Sequence, residues 1–123
     1  MTIQGLIPYY YEYLNPGQGI ELNRCIYNNM ADNPTTERTV RDVPQGDCRT
    51  NEETCEDCRT RNVSDIVSFH FTNCLKPWQC QPYRQDIVQM RLCRRMTHEW
   101  YKLRSDLEKS WGRSGMSNGT FET

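Results

Sequence analysis

The side chains of this chain best placed to do chemistry lie in nine residues, His70-Phe71-Thr72-Asn73-Cys74-Leu75-Lys76-Pro77-Trp78. An imidazole ends a short alternating segment, and a lysine follows six positions on. Neutral imidazole ligates metals, and Mn²⁺ accepts it beside carboxylates and phosphate oxygens. Pro77 fixes its own φ and pushes Lys76 toward extended backbone. Trp78 is expected to anchor the turn by burying its large ring. Lys76 then stands as a fixed positive charge suited to a diphosphate. Taken singly, each residue has a plainer reading. A lone histidine on a strand is more often structural, and a lysine is usually a solvated surface group.

Certain elements must hold these groups. Residues Asp65 to Thr72 alternate, with Val67, Phe69 and Phe71 on one face and Ser68, His70 and Thr72 on the other. That pattern predicts a strand from which His70 points away from the apolar side. Gly5 to Leu14 carry Leu6, Ile7, four tyrosines and Leu14, which reads as a buried helix with an aromatic face, ended by Asn15-Pro16-Gly17-Gln18-Gly19. Ile20-Glu21-Leu22 reads as a short strand. The surest element is a helix over about Gln85 to Trp111. There Ile87, Met90, Cys93, Met96, Trp100, Leu103, Leu107 and Trp111 recur at steps of three and four. Asp86 stands near its start, and Gly112 follows its last apolar position, as a cap should. The tail 113–123 is small and polar and is expected to fray.

Between these elements, residues 31–61 are rich in Asn, Asp, Thr, Arg, Pro and Glu and show no period of either kind. They read as a long Cys-rich loop, unusual in a compact domain and tied down by its own cysteines. Glu52, Glu53, Glu56 and Asp57 there read as a solvated cluster rather than a catalytic pair, because a loop seldom fixes the separation such a pair needs. His98 reads as a surface residue of the long helix. No cysteine has a context that would activate it as a protease nucleophile.

Bulk composition bounds the rest. The chain has 123 residues, 15 basic and 16 acidic side chains and a formal net charge of -1. No sign bias points to nucleic acid, and no apolar run is long enough to span a bilayer. Met1 to Gly5 lack the basic-then-apolar pattern of a signal peptide. Leu, Ile, Val and Phe make up only 21 of the 123 residues, below the fraction at which a chain folds unaided. Disulfides, a metal or a larger body must supply the difference. The expectation is that this is the C-terminal part of a larger enzyme, begun at an internal methionine.

Seven cysteines, Cys25, Cys48, Cys55, Cys58, Cys74, Cys80 and Cys93, suggest an oxidising compartment. The triplets Asn62-Val63-Ser64 and Asn118-Gly119-Thr120 fit the secretory pathway. An odd count leaves one thiol over, and spacing does not give the pairing. Cys74 and Cys80 bracket the Lys-Pro-Trp turn, so a bridge between them would brace it. Zinc competes with disulfides: Cys48, Cys55 and Cys58 contain one CxxC, and His70 or Cys74 could complete four ligands.

The spacing His-Phe-x-x-x-x-Lys-Pro-Trp resembles the closing motif of the family 8 (glycogenin-like) glycosyltransferases. In that family the histidine is a Mn²⁺ ligand and the lysine contacts the diphosphate of UDP. The resemblance therefore implies His70 as metal ligand and Lys76 as diphosphate contact. Asn73 stands where the family has glycine, and asparagine is the residue that best tolerates positive φ there. Gln4-Gly5-Leu6-Ile7 resembles the family's Asp-Gln-Gly segment, with Ile3 in place of the aspartate, which implies Gln4 on the substrate side. Leu22-x-x-x-x-Tyr27-Asn28 resembles a third element, and the three stand in family order.

The family's nucleotide-binding half, with its Asp-x-Asp motif, is not in these residues. What is implied is an α+β fold, the C-terminal fragment of a GT-A type α/β glycosyltransferase domain, with few short strands and one long amphipathic C-terminal helix. Residues 1–82 would belong to the catalytic domain, 83–112 to the helix and 113–123 to the tail. The implied function is metal-dependent, retaining transfer from a UDP-sugar to a glycan or protein acceptor in the Golgi lumen. Mn²⁺ would be shared with the missing motif, no residue here would be catalytic in itself, and the isolated chain would be inactive. The alternative is a small disulfide-rich secreted binding or structural module.

Overall fold

The computed structural model describes residues 3–33, 35, 46–49 and 52–113. Helix α1 spans Ile3–Tyr9 and passes into a π-helical turn, Tyr10–Leu14. Pro8 lies at the changeover and has no N–H to bond the carbonyl a turn back. The wider spacing then continues to the end, where Asn15 N–H donates to the Tyr10 carbonyl at 2.8 Å. A buried face was expected here, yet Ile3, Leu6, Ile7, Leu14 and all four tyrosines are exposed. Nothing in the described core reaches this helix to cover it.

Helix α2 is one turn, Arg24–Tyr27. Asn23 caps it, its side chain accepting from the N–H of Cys25 at 2.8 Å and of Ile26 at 3.2 Å. The cap fixes the direction in which Cys25 leaves the turn, and Cys25 forms a disulfide with Cys58. Cys58 opens a 3₁₀ turn, Cys58–Thr60, capped by Asp57. A second 3₁₀ turn follows at Val63–Asp65 and a third at Pro77–Gln79.

Helix α3, Val88–Ser110, is the long C-terminal helix. It starts later than the sequence pattern suggests. Asp86 does not cap it but pairs with Arg91 at 2.9 Å, and that guanidinium holds the Asp86 carboxyl below its usual range. The end is as expected. Gly112 has φ +70°, its N–H donates to Lys109 O at 2.9 Å, and the Arg113 N–H donates to Glu108 O at 2.9 Å. These two bonds around a left-handed glycine make a Schellman stop.

The strand expected over 65–72 is not formed, nor is the one at 20–22. Among the described residues β-structure is limited to two isolated bridges, Asn29 with Phe69 (parallel) and Thr35 with Cys48 (antiparallel). The expected apolar face is not kept, since Val67 is 69 % exposed, and no ladder propagates: the Val67 and Ser68 N–H groups both donate to the Ile26 carbonyl, at 2.9 and 3.2 Å, and Asn29 makes the one bridge of this stretch among the described residues. Its Phe69 and Phe71 instead pack edge to face, with centroids 4.8 Å apart, against a small core of Ala31, Cys74, Leu92 and Cys93. Val63, Ile66, Tyr83, Met90 and Met96 pack around that core. The fold is thus small, about half helical among the described residues, and held by three disulfides: Cys25–Cys58, Cys48–Cys55 and Cys74–Cys93.

This pairing corrects the expected brace between Cys74 and Cys80. Cys74 reaches across to α3, because Cys93 lies on the helix face turned to the core. Cys80 is left as an exposed free thiol. The zinc arrangement is displaced as well, since Cys48, Cys55, Cys58 and Cys74 are all consumed in disulfides. As expected, the Cys-rich loop is tied by its own cysteines, internally through Cys48–Cys55 and outward through Cys58.

Candidate functional site

The candidate site is built outward from one buried side chain, Asn29, which sequence reasoning passed over. It is fully buried. Its side-chain amide donates to the carbonyls of Cys25 at 2.9 Å and Cys58 at 3.0 Å, and its side-chain oxygen accepts from Ala31 N at 2.8 Å. Its backbone N–H donates to Ser68 O at 3.1 Å, and its carbonyl accepts the His70 N–H at 2.8 Å. Every polar group of Asn29 is used, as burial requires. One amide therefore joins the disulfide turns to the segment that carries His70. A lone asparagine after a one-turn helix has no pattern in the sequence that would flag it.

His70 itself is exposed, on the side the alternation indicates. Its carbonyl accepts the Thr72 N–H at 2.7 Å, closing a tight turn. Lys76 has φ −75° and ψ 126°, the extended backbone that Pro77 imposes. Its ammonium group is not presented outward. It folds back to donate to the carbonyl of Phe71, one residue beyond His70. Lysine and histidine thus share one turn of chain, with the lysine head engaged by backbone. Asn73 lies in that turn, exposed. It borders an open groove of about 600 Å³ also lined by Thr72, Leu75, Gln81, Arg84 and Gln85. The residues lining that groove include neither His70 nor Lys76. Gln4 lies on α1, and its side chain falls outside the described residues.

Trp78 was expected to bury its ring. Pro77 is the buried member instead, and Trp78 is 60 % exposed, with its centroid 6.4 Å from that of Trp100 on α3. The turn is held to α3 by another route. The Tyr101 hydroxyl donates to Pro77 O at 2.7 Å and lies 3.5 Å from Cys80 Sγ. Burial first, and then the contact with Cys80, push the Tyr101 phenol up to about 12. Tyr83 completes the packing between turn and helix, bonding Leu75 O at 3.1 Å and Thr97 Oγ1 at 3.0 Å, and burial raises its phenol too.

Among the described residues no three His, Cys, Asp or Glu side chains come together as metal ligands. The acidic cluster splits. Glu52, Glu53 and Glu56 are exposed, but Asp57 is buried against Arg59, whose Nε donates to it at 2.8 and 3.1 Å. His98 is exposed, as expected. Among the described residues no helix is long and apolar enough to cross a membrane. No protein-family model matches the chain, and no curated protein or solved structure matches it either.

Proposed function

We propose that this chain is a disulfide-stapled binding or structural module of the secreted class. The observation that carries this reading is how its apolar side chains are distributed. The buried core is small and includes five of the six bridged cysteines, while the large apolar groups of α1 and of the end of α3 lie outside. A chain that keeps its shape with covalent links can leave such groups at the surface for contacts with other molecules. Tyrosine and tryptophan, which stand beside isoleucine and leucine among the residues so exposed, are enriched at protein interfaces. Three disulfides suit an oxidising compartment, and Asn62 of the triplet Asn62-Val63-Ser64 is exposed.

The transferase reading remains as the second proposal, because one feature favours it. His70 is exposed, and the Lys76 ammonium is held one residue beyond it, so both ends of the resemblance lie on one turn. On that reading His70 and Lys76 complete a Mn²⁺ and UDP-sugar site in the Golgi, with Asn73 and Gln4 beside it, in a GT-A fold whose other half supplies Asp-x-Asp. Calorimetric titration of UDP with Mn²⁺ into the full product of the gene, with any Asp-x-Asp half present, separates the two. The module reading expects no heat up to millimolar UDP and a melting temperature unchanged by chelator. A micromolar Kd that His70→Ala abolishes would overturn it in favour of the transferase.

A further inference from the structure

Three Asn-x-Ser/Thr triplets stand in the sequence: Asn33-Pro34-Thr35, Asn62-Val63-Ser64 and Asn118-Gly119-Thr120. A fourth, Asn23-Arg24-Cys25, has a thiol in place of the hydroxyl. Glycosylation of asparagine needs the amide and the hydroxyl two residues on to be presented together at a surface, and a proline between them forbids it. The fold treats these triplets differently. Asn23 is spent as the cap of α2, its oxygen accepting from the Cys25 and Ile26 N–H groups and its nitrogen donating to Glu56 at 3.1 Å. Its third residue, Cys25, is buried in a disulfide. Asn33 turns its side-chain oxygen back to accept the Thr35 N–H at 3.1 Å, and Thr35 is buried. Asn118 lies outside the described residues.

Asn62 is the opposite case. Its backbone is extended, with φ −66° and ψ 137°, and its side chain caps nothing although a 3₁₀ turn follows it. Its carbonyl accepts the Asp65 N–H at 3.1 Å, which fixes the turn. Val63 packs against the core, while Asn62 and Ser64 on either side of it are exposed. The Ser64 hydroxyl meets the neighbouring Asp65 carboxylate at 3.2 Å, also at the surface. Amide and hydroxyl therefore stand in solvent on both sides of one apolar anchor.

We propose that Asn62 carries an N-linked glycan, with Ser64 supplying the hydroxyl that the transferring enzyme reads. The inference rests on the secretory compartment, which both proposed functions share. The donor there is an oligosaccharide joined to a polyprenyl diphosphate. The Asn62 amide nitrogen bonds to C1 of the first sugar and gives up one proton. The bond from C1 to the diphosphate oxygen breaks, and the diphosphate leaves with its electron pair. No oxidant or reductant is needed.

The full chain tests this when expressed in mammalian cells behind a cleavable signal peptide. An Asn118→Gln background makes any shift report on the remaining triplets. The leader delivers the chain to the donor whatever its own sorting, so a negative result counts against the site and leaves the compartment standing. Locating the native gene product in fractionated cells tests the compartment by itself. The expected result is a slower band that collapses on peptide-N-glycosidase treatment, with position 62 converted to aspartate in the peptide mass spectrum. Asn62→Gln and Ser64→Ala each abolish the shift, and Ser64→Thr keeps it. Both loss variants retain three disulfides and an unchanged circular dichroism spectrum, because neither side chain caps the turn. A disulfide-bonded chain from the medium with no sugar on Asn62 overturns the proposal, as does a shift that survives Asn62→Gln.

Discussion

The middle of this molecule and its two helical ends solve opposite problems with similar residues. Between Cys25 and Met96, short turns with few apolar side chains are pinned by three disulfides and one buried asparagine. In α1 and beyond Trp100 in α3, aromatic and aliphatic residues are plentiful, yet they face outward. Apolar content is therefore a poor guide to where this chain is held together. The middle is ordered by links that act mainly on the unfolded state. The ends are regular helices whose apolar faces await something to cover them.

That contrast can be broken at its strongest point first. Replacing Cys25, Cys58, Cys74 and Cys93 by alanine opens loops of 33 and 19 residues, each closure contributing about 3 to 4 kcal/mol. The expected outcome is loss of cooperative thermal unfolding, while the far-ultraviolet signal of residual helix persists in part. A sharp transition at the original temperature would show that the core, and not the links, holds the middle.

Asn29→Ala comes next. It leaves two buried carbonyls and the Ala31 N–H without the partner they now have, at a cost of about 3 kcal/mol in denaturant unfolding. A loss under about 1 kcal/mol would mean that water replaces the amide, and the hub would not be one.

Alkaline pH probes the junction between the two regions. Tyr101 has a folded pKa raised above its unfolded value of about 10. Its contribution is therefore complete below pH 10 and is lost as pH rises toward about 12. With its partial exposure the loss amounts to about 1 kcal/mol. Tyr101→Phe should flatten that slope, and in the 295 nm titration the Tyr101 and Tyr83 phenols should ionise above the usual tyrosine value of about 10. A single step that includes every tyrosine would remove the junction from the picture.

The smallest effects belong to the ends. Leu103→Ser and Tyr13→Ser, each at an exposed position, should change the stability of dilute protein by less than about 0.5 kcal/mol. Gly112→Ala should cost about 1 kcal/mol, because the Schellman stop needs φ +70°. If Leu103→Ser cost several kcal/mol at micromolar concentration, the end of α3 would belong to the core after all.

Some of this was legible in advance, and the reasons are local. The three-and-four spacing through 87–111 is a property of neighbouring residues, so α3 and its glycine stop could be read directly. So could the extended backbone of Lys76, which the next proline dictates, and the outward aim of His70, which alternation dictates. The weak apolar content called for outside support, and the chain supplies it with disulfides.

Whatever depends on residues far apart was settled by packing. The partner of Cys74 is Cys93, not the nearer Cys80, because α3 brings Cys93 against the core. The segment at 65–72 does not become a strand because a strand needs a neighbour over several residues, and among the described residues its bridge is to Asn29 alone. Lysine 76 turns inward because a backbone carbonyl stands within its reach. Helical period says which side of α1 or α3 is apolar, but only the assembled chain shows that nothing within its described residues covers those sides. Local sterics can be read along a chain, whereas loop closure, burial and pairing depend on the whole molecule at once.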